Sequence, residues 1–148
     1  MKVLTDTNIL FSALLYPNGM PSKALLFISD NYELVLSDYN ISELREIVER
    51  KTPQHMADVD VLLAKLSYEL ITAPISPEKL INDPKDAPVL NAAIIADVDI
   101  IISGDKHFKE LVLERPVVKT AAEFVSDFIV EPDGYYSMGS VSTIPQSD

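Results

Sequence analysis

Cysteine is missing from all 148 residues. This excludes disulfides and thiolate metal sites and agrees with a cytoplasmic location. Long apolar runs are missing too. The longest, NILFSALL (8–15) and VDIIIS (98–103), fall far short of the roughly 20 residues that a bilayer-spanning helix needs, so no membrane partner is expected. No basic segment leads an apolar one into a small-residue cleavage site, and no secretory signal is expected. Basic residues are scarce: 12 Lys and Arg against 23 Asp and Glu leave a net charge of −11. A protein that grips nucleic acid by bulk charge needs the opposite balance. The deficit does not exclude a nuclease, in which bound metal ions supply positive charge locally.

Hydrophobic residues make up 47% of the chain, which places it among globular proteins, and its length suits one domain with a sizeable core. KVLT (2–5) reads as a short buried strand. DTNILFSALLY (6–16) has helical apolar spacing and is broken by YPNG. A second helix, PSKALLFISDN (21–31), starts at Pro21 or Ser22. The strand YELVLS (32–37) runs into the amphipathic helix DYNISELREIVERK (38–51), with Ser37 as its N-cap. PQHMADVDVLLAKLSYEL (53–70) reads as a further helix, ITAPI (71–75) as a short strand or extended segment, and SPEKLINDPK (76–85) as a loop. DAPVLNAAIIADV (86–98) is helical, DIIIS (99–103) a strand, DKHFKEL (105–111) a short helix, VVKT (117–120) a final strand and AAEFVSDFI (121–129) the last helix.

Strands that alternate with helices and are apolar throughout predict a three-layer α/β/α domain around a mainly parallel sheet. Residues 1–129 form that domain. Residues 130–148 form a C-terminal tail without Lys or Arg. Its Tyr135, Tyr136, Met138, Val141 and Ile144 are too sparse for a core of their own and call for a surface on the domain or on a second subunit.

In an open parallel sheet, ligands bind beyond the carboxyl ends of the strands. Asp6 ends the first strand, and Asp105 follows DIIIS in the motif SGD. Asp86 opens the helix leading into that same strand. Glu43 lies early in the helix after YELVLS, at the border of the buried stripe of Ile41, Leu44, Ile47 and Val48. Each acid also has a purely structural reading. Asp6, Asp86 and Asp105 sit where helix caps sit, and Glu43 would serve as a solvated helix residue. Taken together, acids from separate elements meeting at one edge supply the oxygen ligands that hard cations such as Mg²⁺ and Mn²⁺ prefer. Without a metal they would repel one another.

The combination of LTDTNILFSALL, LSDYNISELREI, NDPKDAPVLNAAIIADVDIIISGDKHFKEL and VVKTAAEFVSDF resembles the PIN-domain ribonucleases, including the VapC-type toxins of toxin–antitoxin pairs, over roughly residues 2–129. The resemblance implies a metal-dependent endoribonuclease with a PIN-like fold. It places the acidic ligands at Asp6, Glu43, Asp86 and Asp105, with Mg²⁺ or Mn²⁺ as cofactor. Asn8 and Ser103 match polar positions beside the first and last acids, and Asp83 stands in the D-P-x-D pattern before Asp86. Two departures stand out: Asn82 replaces an Arg frequent in relatives, and Ser103 replaces a frequent Thr while keeping its hydroxyl. Implied partners are an RNA substrate, a cognate antitoxin and a second copy in a homodimer. Lys106 and Lys109 are candidate RNA contacts, with a solvated surface as the alternative.

Two rival readings remain at this level. A haloacid-dehalogenase-like phosphohydrolase also has an Asp after its first strand and a later GD pair. Its chemistry needs a second acid two residues after the nucleophile, and this chain has Asn8 there. A catalytically weak PIN-fold binding module fits the acidic charge.

Overall fold

The computed structural model describes residues 1–72, 92–94, 96–104 and 116–129. In chain order the elements are β1 (Lys2–Thr5), α1 (Thr7–Leu15), α2 (Met20–Asn31), β2 (Glu33–Ser37), α3 (Asp38–Lys51), a single 3-10 turn (Pro53–His55), α4 (Met56–Lys65), β3 (Tyr68–Ile71), β4 (Ile100–Ile102), β5 (Val117–Lys119) and α5 (Ala121–Phe128). Residues 92–94 are helical.

The five strands form one sheet in the order β3-β2-β1-β4-β5, and all four pairings are parallel. Val3 sits between Leu34 and Ile100 in register. The chain winds outward from β1 through β2 to β3, then crosses back to β4 and β5. Strand order therefore reverses between β1 and β4, and a crevice opens at the carboxyl ends of strands at such a switch point.

The period of two along each strand explains why the strands are apolar throughout. Val3, Leu34, Leu36, Ile100 and Ile102 face one core, which Ile9 and Leu10 of α1, Leu25 and Ile28 of α2, Leu44 and Val48 of α3, Val59 of α4 and Phe124 and Val125 of α5 complete. The intervening Leu4, Val35 and Ile101 face a second core with Ala93 and Val98, bordered by Tyr39, Ile71 and Val118. Both faces are thus covered, as expected of an α/β/α arrangement. Each fully buried aliphatic side chain contributes about 1.5–3 kcal/mol.

Two local devices set strand entry. The helical turn at 92–94 closes with the Val98 N–H donating to the Ala93 carbonyl and the Asp97 N–H to that of Ile94, while Asp97 adopts a left-handed φ of 58°. This is the hydrogen-bond pattern of a Schellman motif, with Asp in the position Gly usually takes. It delivers the chain to β4, where Asp99 pairs with Lys2 through both backbone and side chain. On the first face, Phe124 stacks on Phe128 with ring centroids 4.7 Å apart and meets Phe27 edge-on at 6.3 Å. These contacts pin α5 to α2.

One expectation is corrected. The chain does not stay helical to Leu70: α4 ends at Lys65, Leu66 is extended (φ −96°, ψ 142°), and residues 68–71 pair with β2 as the outer strand. The strand therefore begins three residues before ITAPI. The sequence-predicted sites at Asp83, Asp86, Asp105, Lys106 and Lys109 lie outside the described residues, as does the tail 130–148. Among the described residues, no helix is long and apolar enough to cross a membrane.

Candidate active site

The site begins where β1 ends. Thr5 is fully buried, and its Oγ1 has no hydrogen-bond partner among the described residues. Asp6 continues the ladder by one residue, its N–H donating to the Ile102 carbonyl at 3.1 Å. Its backbone is still extended (φ −80°, ψ 172°), as an N-cap requires, and its Oδ1 accepts the Ile9 N–H at 3.0 Å. The other carboxylate oxygen, Oδ2, accepts the Ser103 hydroxyl at 2.5 Å. Ser103 is fully buried just past β4, held by its N–H to the Lys119 carbonyl at 2.9 Å. Asp6 itself is 5% exposed. The capping reading of Asp6 is therefore correct, and so is its placement at the carboxyl edge. One oxygen caps α1 while the other is clasped by the neighbouring strand's end, at the switch point.

Asn8 is exposed in the first turn of α1, and Gly104 is exposed after Ser103. Among the described residues, nothing lies within 4 Å of the position where a Cβ would stand on Gly104.

The end of β2 is built the same way. Ser37 caps α3 through a reciprocal box: the Asn40 N–H donates to Ser37 Oγ at 3.0 Å, and the Ser37 N–H donates to Asn40 Oδ1 at 3.1 Å. Glu43 lies one turn further on, half-buried, and its Oε2 accepts the Tyr39 hydroxyl at 3.4 Å. Because β1 and β2 are adjacent and parallel, α1 and α3 both point their N-termini at the same edge. The positive ends of two helix dipoles therefore favour negative charge there, in a chain that is otherwise strongly acidic.

The structure thus brings Asp6 and Ser103 into direct contact and sets Glu43 on the neighbouring helix start. Among the described residues, no three His, Asp or Glu side chains form a group able to hold a metal; two of the four expected acids lie outside those residues. Sequence reasoning passed over Thr7 and the side chain of Asn40. Asn40 is fully buried and donates from Nδ2 to Thr7 Oγ1 at 3.3 Å. The S-x-x-N spacing of a capping box was the available signal for Asn40.

A second concavity, a groove of about 390 Å³, lies between α1, α2 and α4 and is lined by Leu14, Pro17, Leu26, His55, Val61 and Lys65 among others. It borders the far end of α1 from Asp6, and neither Asp6 nor Glu43 lines it.

Residues 2–107 match the family model of the PIN domain. The chain is similar to an uncharacterized protein of Methanocaldococcus jannaschii, MJ1680, with 30% identity over 145 residues that cover 86% of this chain and 92% of the relative. Among solved structures it is similar to VapBC2 from Rickettsia felis bound to a DNA fragment from their promoter. That match has a TM-score of 0.63 at 18% identity and covers 81% of this chain and 98% of the other. The sequence match over most of the chain, together with the fold, leads to one conclusion: the chain belongs to the PIN domain family.

Proposed function

We propose that this protein is a metal-dependent endoribonuclease of the VapC type, which hydrolyses phosphodiester bonds of RNA at the edge where β1 and β4 diverge. The observation that carries the reading is the seating of Asp6. Its carboxylate is nearly buried at the switch point and held by two donors from different elements, Ile9 and Ser103. A cap needs only the first of these.

The donor chemistry fits a hard divalent cation. Carboxylate oxygens retain further lone pairs after accepting one hydrogen bond each, and an oxygen-only set suits Mg²⁺ or Mn²⁺. Asp6, Glu43, Asp86 and Asp105 would hold it, the last two assigned from the sequence. When bound, the ion supplies positive charge against the scissile phosphate and acidity for the attacking water. The protein's own groups do the rest. Ile9 and Ser103 fix the orientation of Asp6. The N-termini of α1 and α3 favour an anionic substrate group at the edge. Glu43, half-exposed, completes the ligand set or accepts a proton from water. Asn8, Asp83 and Ser103 position the acids, and Lys106 and Lys109 contact RNA. A cognate antitoxin, a homodimeric state and action in the cytoplasm belong to the same reading.

A binding module on the same fold is the second reading, favoured by the net charge of −11. Substitution of Asp6 by Asn separates the two. Asn caps helices about as well as Asp, so Asp6→Asn keeps the fold and removes the ligand charge. Wild type should be stabilised by Mn²⁺ by about 2.7 kcal/mol at 100 times Kd and should cleave single-stranded RNA in an EDTA-sensitive manner. Asp6→Asn and Asp105→Asn should lose both properties. Equal melting shifts and equal cleavage in all three proteins would reduce the acids to structural roles.

A further inference from the structure

We infer that Asn40 is a positioning residue that locks Asp6 and Glu43 into one frame; the inference rests on the reading that these two acids serve a common site. Asn40 is fully buried, and both ends of its amide are used. Its Oδ1 accepts the Ser37 N–H at 3.1 Å and the Ser37 hydroxyl at 3.0 Å. Its Nδ2 donates to Thr7 Oγ1 at 3.3 Å, across 33 residues of sequence. The first two bonds complete the cap of α3. The third has no capping role, because the usual box residues, Glu and Gln, return only to the cap of their own helix.

The third bond ties the start of α3 to the start of α1. Thr7 is the residue after Asp6 and is 4% exposed. Glu43 stands one turn after Asn40, so its backbone follows the same first turn, and Tyr39 steadies its carboxylate. Two acids on different helices keep a fixed separation only if the helices cannot rotate against each other at that end. Apolar contacts between α1 and α3 resist separation of the helices. A directed hydrogen bond between their first turns resists twist as well. Groups that orient ligands in this way typically change metal affinity or activity by about 10–100-fold when removed.

Thr7→Val tests the clamp. It keeps the branched shape, removes the acceptor, and leaves both caps intact. In the metal-free protein, amide hydrogen exchange should lose protection at Ile9, whose N–H reports the seating of Asp6, while the Asn40 amide, bonded to Ser37, stays protected. Mn²⁺ affinity measured by calorimetry should weaken by roughly tenfold. Thr7→Ser, which restores the hydroxyl, should return both readouts to wild type, and Thr7→Ala serves if the valine variant does not fold. Wild-type exchange at Ile9 together with wild-type Mn²⁺ affinity in Thr7→Val overturns the inference. So does a serine variant as impaired as the valine one, since volume rather than the hydrogen bond would then be responsible. If wild type and Asp6→Asn bind Mn²⁺ alike, the metal-site reading fails instead, and the clamp stands or falls on the exchange rates alone.

Discussion

Ser103 donates its hydroxyl to Asp6 Oδ2 at 2.5 Å across 97 residues of sequence. The bond joins the ends of the two strands between which strand order reverses, and both partners are buried. Ser103→Ala removes a donor from a buried charged acceptor. It should cost about 1–3 kcal/mol in urea unfolding without metal and weaken Mn²⁺ binding by about tenfold. Ser103→Thr keeps the hydroxyl and should retain Mn²⁺ affinity. A Ser103→Ala variant with unchanged unfolding midpoint and unchanged Mn²⁺ affinity would show that the bond has no part in seating Asp6.

Thr5 offers the opposite case. Its Oγ1, one residue before Asp6, is buried without a partner among the described residues, and an unsatisfied polar atom costs free energy. Thr5→Val should therefore raise stability by about 1 kcal/mol, read as a higher urea midpoint. A drop in RNA cleavage alongside that gain would mean that the hydroxyl serves the reaction, since strained or unsatisfied groups at active sites trade stability for function. A drop in stability would instead mean that the hydroxyl has a partner in solution.

The aromatic seam between α2 and α5 predicts a purely structural effect. Phe124 is fully buried, stacked on Phe128 and edge-on to Phe27. Phe124→Ala should cost about 3–5 kcal/mol and leave the Mn²⁺ affinity of the remaining folded protein unchanged. A loss below 1 kcal/mol in chemical denaturation would show that the seam repacks.

Deleting residues 131–148 tests the tail. The sparse apolar residues Tyr135, Tyr136, Met138, Val141 and Ile144 should find a surface, so truncation is expected to lower the melting temperature or to shift the mass measured by light scattering. If neither quantity moves, the tail has no such surface.

The parts of this architecture that were legible in the sequence share a cause. β1, β2, β4 and β5 carry apolar residues on both faces and stand out from their surroundings, and α1 and α3 announce themselves by Asp6 and Ser37 at their starts. β3 is masked in the sequence because Leu62, Leu63, Leu66 and Leu70 keep a helical spacing past the true end of α4. The chain leaves the helix at Leu66 because pairing with β2 wins, and an outer strand with Leu70 56% exposed has no alternation to betray it. At the site, cap and ligand looked like competing roles for Asp6, since one-dimensional reasoning assigns one role per residue. A carboxylate has two oxygens: one caps α1 and the other accepts from Ser103, so capping does not exhaust the group. The Asn40 box was local enough to find, whereas the bond from Asn40 to Thr7 depends on two strands lying side by side.

The central position of β1 also makes the edge a composite of distant parts of the chain. Residues 2–4 pair with β2 on one side, yet the clasp on Asp6 and the second flanking strand come from residues 100–103. Without β4, one side of β1 is bare and Asp6 lacks the Ser103 hydroxyl. The edge at which RNA is proposed to bind therefore exists only once strands from distant parts of the sequence have closed on β1.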